Sequence, residues 1–207
     1  SGTTGTPKGI CFDHRNIVFK RFARALALPA IGENDRLLCY LPLFHTFGRF
    51  LEMTGCVFWG ATYCFAESAD IETLVRQMQE LRPTVFISIP MKWMQLYERI
   101  RSEIDVHAEG DAELDLVTTR LTGGALRWGL SAAGYLDPEI FRFFQQRGIE
   151  LMSGFGMTEA TGGITMTPPG QYRDDSLGFP LPGIEVALAE DGEMLIRGPY
   201  VMTGYLD

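Results

Sequence analysis

The 207-residue chain has neither an initiator methionine nor a charged-then-apolar leader, so no secretory signal is visible in it. It also lacks an apolar run near the roughly twenty residues that a membrane span needs. The longest candidate, residues 55–66, is too short and is interrupted. No CxxC pair occurs: the four cysteines, at positions 11, 39, 56 and 64, lie in apolar surroundings and read as buried reduced thiols of a cytoplasmic protein. Positive charge is scarce, with 18 Lys and Arg against 26 Asp and Glu. The net charge of -8 argues against a nucleic-acid partner. It also means that an anionic substrate must be held by local donors and a metal, against the overall field. There is no internal repeat and no low-complexity tract. What remains, 46% hydrophobic and 21% charged residues, describes a soluble globular chain of one or two domains.

The most informative stretch is Ser153-Gly154-Phe155-Gly156-Met157-Thr158-Glu159. It follows residues 148–152, a short apolar run that reads as a strand. Glycines there let backbone approach a ligand closely. Phe155 offers a face on which a base can stack. Thr158 can donate to a phosphate oxygen, and Glu159 is a hard oxygen ligand of the kind Mg2+ takes. Taken alone, the same residues also fit a plain turn with an exposed Glu.

A second stretch agrees with the nucleotide reading. Ser1-Gly2-Thr3-Thr4-Gly5-Thr6-Pro7-Lys8-Gly9 combines hydroxyls, backbone N–H groups between glycines, and one point charge at Lys8, all of which suit phosphate oxygens. It is not a Walker A loop, since Pro7 precedes Lys8 and Gly9 follows it. A flexible Gly/Thr linker is the bland alternative.

Together these stretches resemble the adenylate-forming superfamily of acyl-CoA synthetases, luciferases and adenylation domains. Residues 1–9 are similar to its phosphate loop. Gly154–Glu159 is similar to its Tyr-Gly-x-Thr-Glu motif, with Phe155 in the usual Tyr place. Gly192–Gly198, running on to Gly204-Tyr205, resembles a third motif. The resemblance implies that Thr3, Thr4, Thr6 and Lys8 hold the β- and γ-phosphates of ATP, with Ser1, Gly2 and Gly5 in the same loop. It further implies that Phe155 stacks on adenine and Thr158 contacts the α-phosphate. Glu159, with Thr4, would bind Mg2+, and Ser153, Gly154 and Gly156 would border the nucleotide.

In chain order, Asp13 or Asn16 caps a helix over residues 17–28, and residues 36–41 read as a buried strand. Pro42–Arg49 reads as a turn. On the resemblance it is the aromatic motif lining the acyl pocket, with His45 a substrate-pocket residue; a lone His among aromatics is otherwise a packing residue. Strands at 62–65 and 85–90 alternate with helices at 71–81 and 92–104. This implies an α/β fold, a parallel sheet with helices on its faces. Residues 89–93, Ile-Pro-Met-Lys-Trp, resemble the long-chain branch, with Met91 where a basic residue is usual. The acidic run from Glu103 to Asp115 reads as a solvated loop. Residues 127–129 read as a strand, and Asp137-Pro138-Glu139 starts a helix. Between them, Ser131–Leu136 lies where the resemblance puts the family's loop bordering adenine, which implies that Ala133 and Gly134 bind the nucleotide; the alanines at 132 and 133 and Tyr135 depart from that motif. Residues 184–188 and 193–197 form a hairpin signal. The expected organisation is an α/β adenylate-forming core over residues 1–176 and the start of a β-rich subdomain over 177–207.

The function implied is activation of a fatty, long-chain carboxylate to acyl-adenylate and then acyl-CoA. Thr158, Glu159 and Lys8 would carry the chemistry, with ATP, Mg2+ and CoA as cofactors and co-substrates. A relative that delivers the acyl group to a carrier protein or another acceptor, and a non-catalytic nucleotide-binding module, are the alternatives. Peripheral attachment to a membrane is left open. The resemblance also puts the ribose contact, the hinge and a C-terminal domain beyond residue 207, so these residues alone are expected not to turn over.

Overall fold

The computed structural model describes residues 8–28, 30–104 and 110–206. Strand β1 (Ile10–Cys11) leads into helix α1 (His14–Ala27). Asp13 and Asn16 share the capping: the Asp13 carboxylate accepts from the Asn16 N–H at 2.7 Å, and Asn16 Oδ1 accepts from the Asp13 N–H at 3.0 Å. This reciprocal box satisfies donors that the first turn leaves open. The Asn16 amide also donates to the carbonyls of Pro199 and Val201, tying the helix entry to the end of the chain.

Alternation then sets in. Strand β2 (Arg36–Cys39) is followed by π-helical turns over Phe47–Met53 that run into α2 (Thr54–Trp59), and by β3 (Thr62–Phe65). Next come α3 (Ile71–Leu81), β4 (Val85–Ser88), α4 (Pro90–Arg101) and α5 (Asp111–Leu121). β5 (Trp128–Ala132), α6 (Pro138–Gln146) and β6 (Glu150–Met157) complete the parallel part. β7 (Gly162–Met166), β8 (Phe179–Pro180), β9 (Glu185–Leu188), β10 (Met194–Arg197) and β11 (Gly204–Tyr205) follow.

Three readings of the sequence are corrected here. The acidic run is in part the first turn of α5, where Asp111 and Glu113 sit favourably at the positive end of the helix. Asp111 and Asp115 pair with Arg147. The turn at 42–49 passes into helix from Phe47 onward. The strand expected to stop at residue 152 runs through both glycines to Met157. It does so because β7 pairs with it antiparallel, Gly154 opposite Met166 and Gly156 opposite Gly163.

Among the described residues the main sheet has seven strands, in the order β3-β2-β4-β5-β6-β7-β8. Its first five strands are parallel, and β7 and β8 add an antiparallel flank. β9 and β10 form the expected hairpin, Met194 opposite Leu188 and Arg197 opposite Glu185. Strand alternation separates two cores. Leu38, Phe86 and Leu151 face α3 to α6, whereas Leu37, Val85, Trp128, Leu130 and Met152 face the π-helical turns and α2. Trp93 of α4 is fully buried between Phe86 and Phe144, and its indole N–H donates to the Leu130 carbonyl at 3.1 Å. Burying such a ring contributes about 3 kcal/mol.

Glu52, in the π-helical turns, is fully buried, and both its carboxylate oxygens lack hydrogen-bond partners among the described residues. Burial pushes its carboxyl up to about 9, and the neighbouring Cys39 thiol offsets only part of that. Because this acid is raised in the folded state, its contribution is complete below the ordinary value of 4.5 and is lost as pH rises toward about 9. Glu52→Gln should therefore raise stability at pH 8 by at least about 1 kcal/mol and flatten the decline across that window. Urea midpoints measured from pH 5 to pH 9 check this; equal slopes in the two proteins would contradict it.

Candidate active site

The end of β6 and the start of β7 build one wall of a cavity of about 480 Å3, the main cavity of the site. After Met157 the chain makes a single 3-10 turn, Thr158–Ala160, and reverses at Thr161, which adopts a left-handed φ of 54°. This places Thr158 and Glu159 at the cavity rim. The Thr161 hydroxyl holds the reversal by donating to the Tyr200 carbonyl at 2.7 Å.

The cavity has a polar end and an apolar end, because β6 and β7 run along it in fixed register. Met157 lies opposite Gly162 near Thr158 and Glu159, while Gly154 lies opposite Met166, where Leu130 and Phe47 close the other end. The cavity brings together His45, Ala133, Gly154, Phe155, Gly156, Thr158 and Glu159 of the expected site residues. Glu159 is the only acidic side chain among its described lining residues. His45 is exposed, and its Nδ1 accepts from the Phe47 N–H at 3.2 Å, which leaves Nε2–H as the free donor of the neutral ring. Ala133 has a φ of 69°, a conformation that strains a residue with a Cβ.

Other expected residues are placed differently. Gly134 and Ser153 line a second pocket of about 270 Å3, which meets the first at Gly154. The Ser153 hydroxyl is committed to the Ser176 carbonyl at 2.7 Å. Lys8 lies outside the cavity lining, with its ammonium 5.0 Å from the centre of the Tyr205 ring. Ser1, Gly2, Thr3, Thr4, Gly5 and Thr6 lie outside the described residues.

Two residues at the cavity were not among the expected ones. Tyr205 reaches Glu159 because β11 pairs with β1, and its hydroxyl donates to the Glu159 carboxylate at 3.0 Å. The Glu159 carbonyl also accepts from the Met202 N–H at 2.7 Å, so the end of the chain clamps this residue twice. The motif around Gly204-Tyr205 was the available signal. Arg24, buried in α1, is the other; it lines the cavity beside Gly162 and Gly163. Nothing in the pattern of α1 announced it.

Electrostatically the helix beside this wall opposes the overall charge, although only Arg24 of its buried cations lines the cavity. Lys20, Arg21 and Arg24 are all buried on α1, and none has a carboxylate partner among the described residues. Burial, then Arg24 and Arg21, hold the Lys20 ammonium well below its usual range. Burial brings Arg21 down to about 9, with Arg24 adding to the shift. Arg24 falls to about 10 by burial, so it keeps its charge at neutral pH.

Comparison with known proteins matches residues 1–206 to the model of the AMP-binding enzyme family. The chain belongs to that family. The chain is 29% identical to long-chain-fatty-acid–CoA ligase 2 of Schizosaccharomyces pombe, over all of its own length and 37% of the relative's. Among solved structures it is similar to a malonyl-CoA ligase with methylmalonyl-CoA and AMP bound, at a TM-score of 0.79 and 27% identity, covering 100% of this chain and 44% of that one. It is similar also to the o-succinylbenzoate CoA synthetase of Bacillus subtilis in complex with ATP and magnesium ion, at a TM-score of 0.78 and 25% identity, covering 99% of this chain and 41% of that one. The chain thus spans less than half the length of these relatives. No helix among the described residues is long and apolar enough to cross a membrane.

Proposed function

We propose that this chain forms the ATP- and acyl-binding core of a ligase that activates a fatty, long-chain carboxylate as its adenylate and passes it to CoA. The observation that carries this reading is the polarity of the main cavity, with Thr158 and Glu159 at one end and Phe47, Leu130 and Met166 at the other. An amphipathic acid fits that gradient, its carboxylate at the Thr158 end and its chain along the apolar wall. The S. pombe relative, named for long-chain fatty acids and CoA, supports the same substrate class.

In this scheme Thr158 donates to the α-phosphate and His45 Nε2–H orients the carboxylate. Phe155 presents its ring to the base from β6, and Lys8 lies on the Glu159 side of the site, linked to it through Tyr205. No side-chain nucleophile is required, because the attacking group belongs to the substrate. The chain must hold two anions in line and spread the charge that develops at phosphorus. Mg2+ would add charge neutralisation there when bound. The residues fit it: Glu159 offers one hard carboxylate at the cavity rim, and one carboxylate completed by phosphates and water is how Mg2+ is commonly held.

The deciding experiment is exchange of labelled pyrophosphate into ATP by a full-length protein carrying this chain. Palmitate should stimulate exchange well above the acid-free control, and CoA should then yield the thioester. ATP binding without exchange for any fatty acid would leave only a nucleotide-binding module. Adenylation without thioester formation would point to a different acceptor.

A further inference from the structure

Arg24 has a place in the cavity and no visible task. It is only 4% exposed, its Nε is buried without a hydrogen-bond partner, and among the described residues no carbonyl or carboxylate accepts from its guanidinium. Each of its two cationic neighbours on α1 donates to a carbonyl, although Arg21 Nε and Nη2 are, like Arg24 Nε, buried without partners among the described residues. Lys20 donates to the Gly163 carbonyl and sits 3.9 Å from the Tyr200 ring centre, and Arg21 donates to the Leu51 carbonyl at 3.4 Å. A buried charge left unpaired costs several kcal/mol, and of these three cations only Arg24 lines the cavity, where a bound anion can offset that cost.

The backbone opposite is shaped to admit this guanidinium. A Cβ placed on Gly163 would lie 2.5 Å from Arg24 Nη2 and 3.0 Å from its Cζ. At Gly162, whose φ is 100°, a Cβ would lie 3.6 Å from Nη2 and 4.0 Å from Thr46 Oγ1. The glycine pair thus leaves a gap that Arg24 enters, level with Gly156 and Met157 across the strands and one residue short of Thr158. That is the polar end of the cavity. The apolar end, at Met166 and Leu130, begins three residues further along β7.

We propose that Arg24 binds the carboxylate of the acyl substrate and holds it beside Thr158 for attack on the nucleotide phosphate. This rests on the acyl-activating reading above and adds the group that recognises the acid itself. A planar guanidinium matches a carboxylate through two parallel N–H donors. It also offsets repulsion between that carboxylate and the phosphates, in a chain whose net charge is -8. No covalent change occurs at Arg24. The bond that forms joins carboxylate oxygen to α-phosphorus, and pyrophosphate leaves with the electron pair of the bond that breaks.

The test compares equilibrium binding of dodecanoate and dodecanol, equal in chain length, to a full-length protein carrying this chain. The unaltered protein should prefer the acid. Arg24→Gln should lose that preference, with acid affinity falling about 10- to 100-fold and alcohol affinity unchanged, the range expected for a charged hydrogen bond. Arg24→Lys should recover part of it. Gly163→Ala keeps the charge but displaces the guanidinium, and should weaken acid binding more than alcohol binding. It therefore carries the test if Arg24→Gln fails to fold, which circular dichroism reports. A preference retained in both Arg24→Gln and Gly163→Ala, or absent from the unaltered protein, overturns the proposal. Pyrophosphate exchange by the unaltered protein is read separately: its absence beside an intact, Arg24-dependent preference would remove the ligase reading and leave the carboxylate site.

Discussion

Replacing Glu159 by Gln is expected to lower acid-dependent pyrophosphate exchange at least about a hundredfold while leaving the fold intact. The reason lies in what surrounds the residue. Glu159 supplies the only carboxylate among the described residues of the main cavity. Its main chain is anchored by Met202, and its side chain by the Tyr205 hydroxyl. The amide keeps the shape and can still accept from Tyr205, so the clamp survives. What it loses is the negative charge that a hard divalent cation requires. The deficit should narrow as Mg2+ is raised, because a weakened site can be filled by mass action. Exchange that is unchanged at limiting Mg2+ would show that Glu159 does not carry the metal. Unfolding midpoints equal to those of the parent would confirm that chemistry alone was altered.

Gly156→Ala is expected to damage both fold and site, costing about 3 kcal/mol of stability and most of the exchange activity. An added Cβ would lie 2.3 Å from the Gly162 carbonyl oxygen and 2.6 Å from Gly163 Cα. Both obstacles are backbone, so no rotamer change relieves the clash and β6 and β7 must part. The register between them already shifts at Phe155 and Gly156. Parting them there would displace Thr158 and Glu159 together, and misplacing a reacting group by about 1 Å costs on the order of a hundredfold. Gly32→Ala is the control, since a Cβ there meets nothing within 4 Å. Urea midpoints and exchange rates for the two variants decide the matter. If Gly156→Ala matched Gly32→Ala in both, the close approach of the two strands would be irrelevant to the site.

Much of this architecture is determined by local sequence. Asp13 and Asn16 define the start of α1, and Asp70 caps α3 by accepting from the Thr73 N–H. Asp137-Pro138 opens α6, and buried runs such as Val85–Ser88 make central strands. These signals are short-range and depend on residue type, so they can be read without knowing what lies opposite. The turn that puts Thr158 and Glu159 at the cavity follows likewise from the short run after β6.

What only tertiary structure decided is which face meets which neighbour. The periodicity of α1 specifies a helix, yet Phe19, Phe22 and Leu26 point to solvent while Lys20, Arg21 and Arg24 are buried. Cations are ordinarily the exposed face. Lys20 and Arg24 go inside here because the Gly163 carbonyl, the Tyr200 ring and a glycine-made gap arrive from segments more than 130 residues away in the chain. Likewise β6 could not be extended through its glycines until β7 paired with it. Glu159 could not be matched to Tyr205 until β11 lay against β1. Local pattern determines how the backbone hydrogen-bonds to itself, whereas a site is made by long-range approach, and that depends on the whole packed chain.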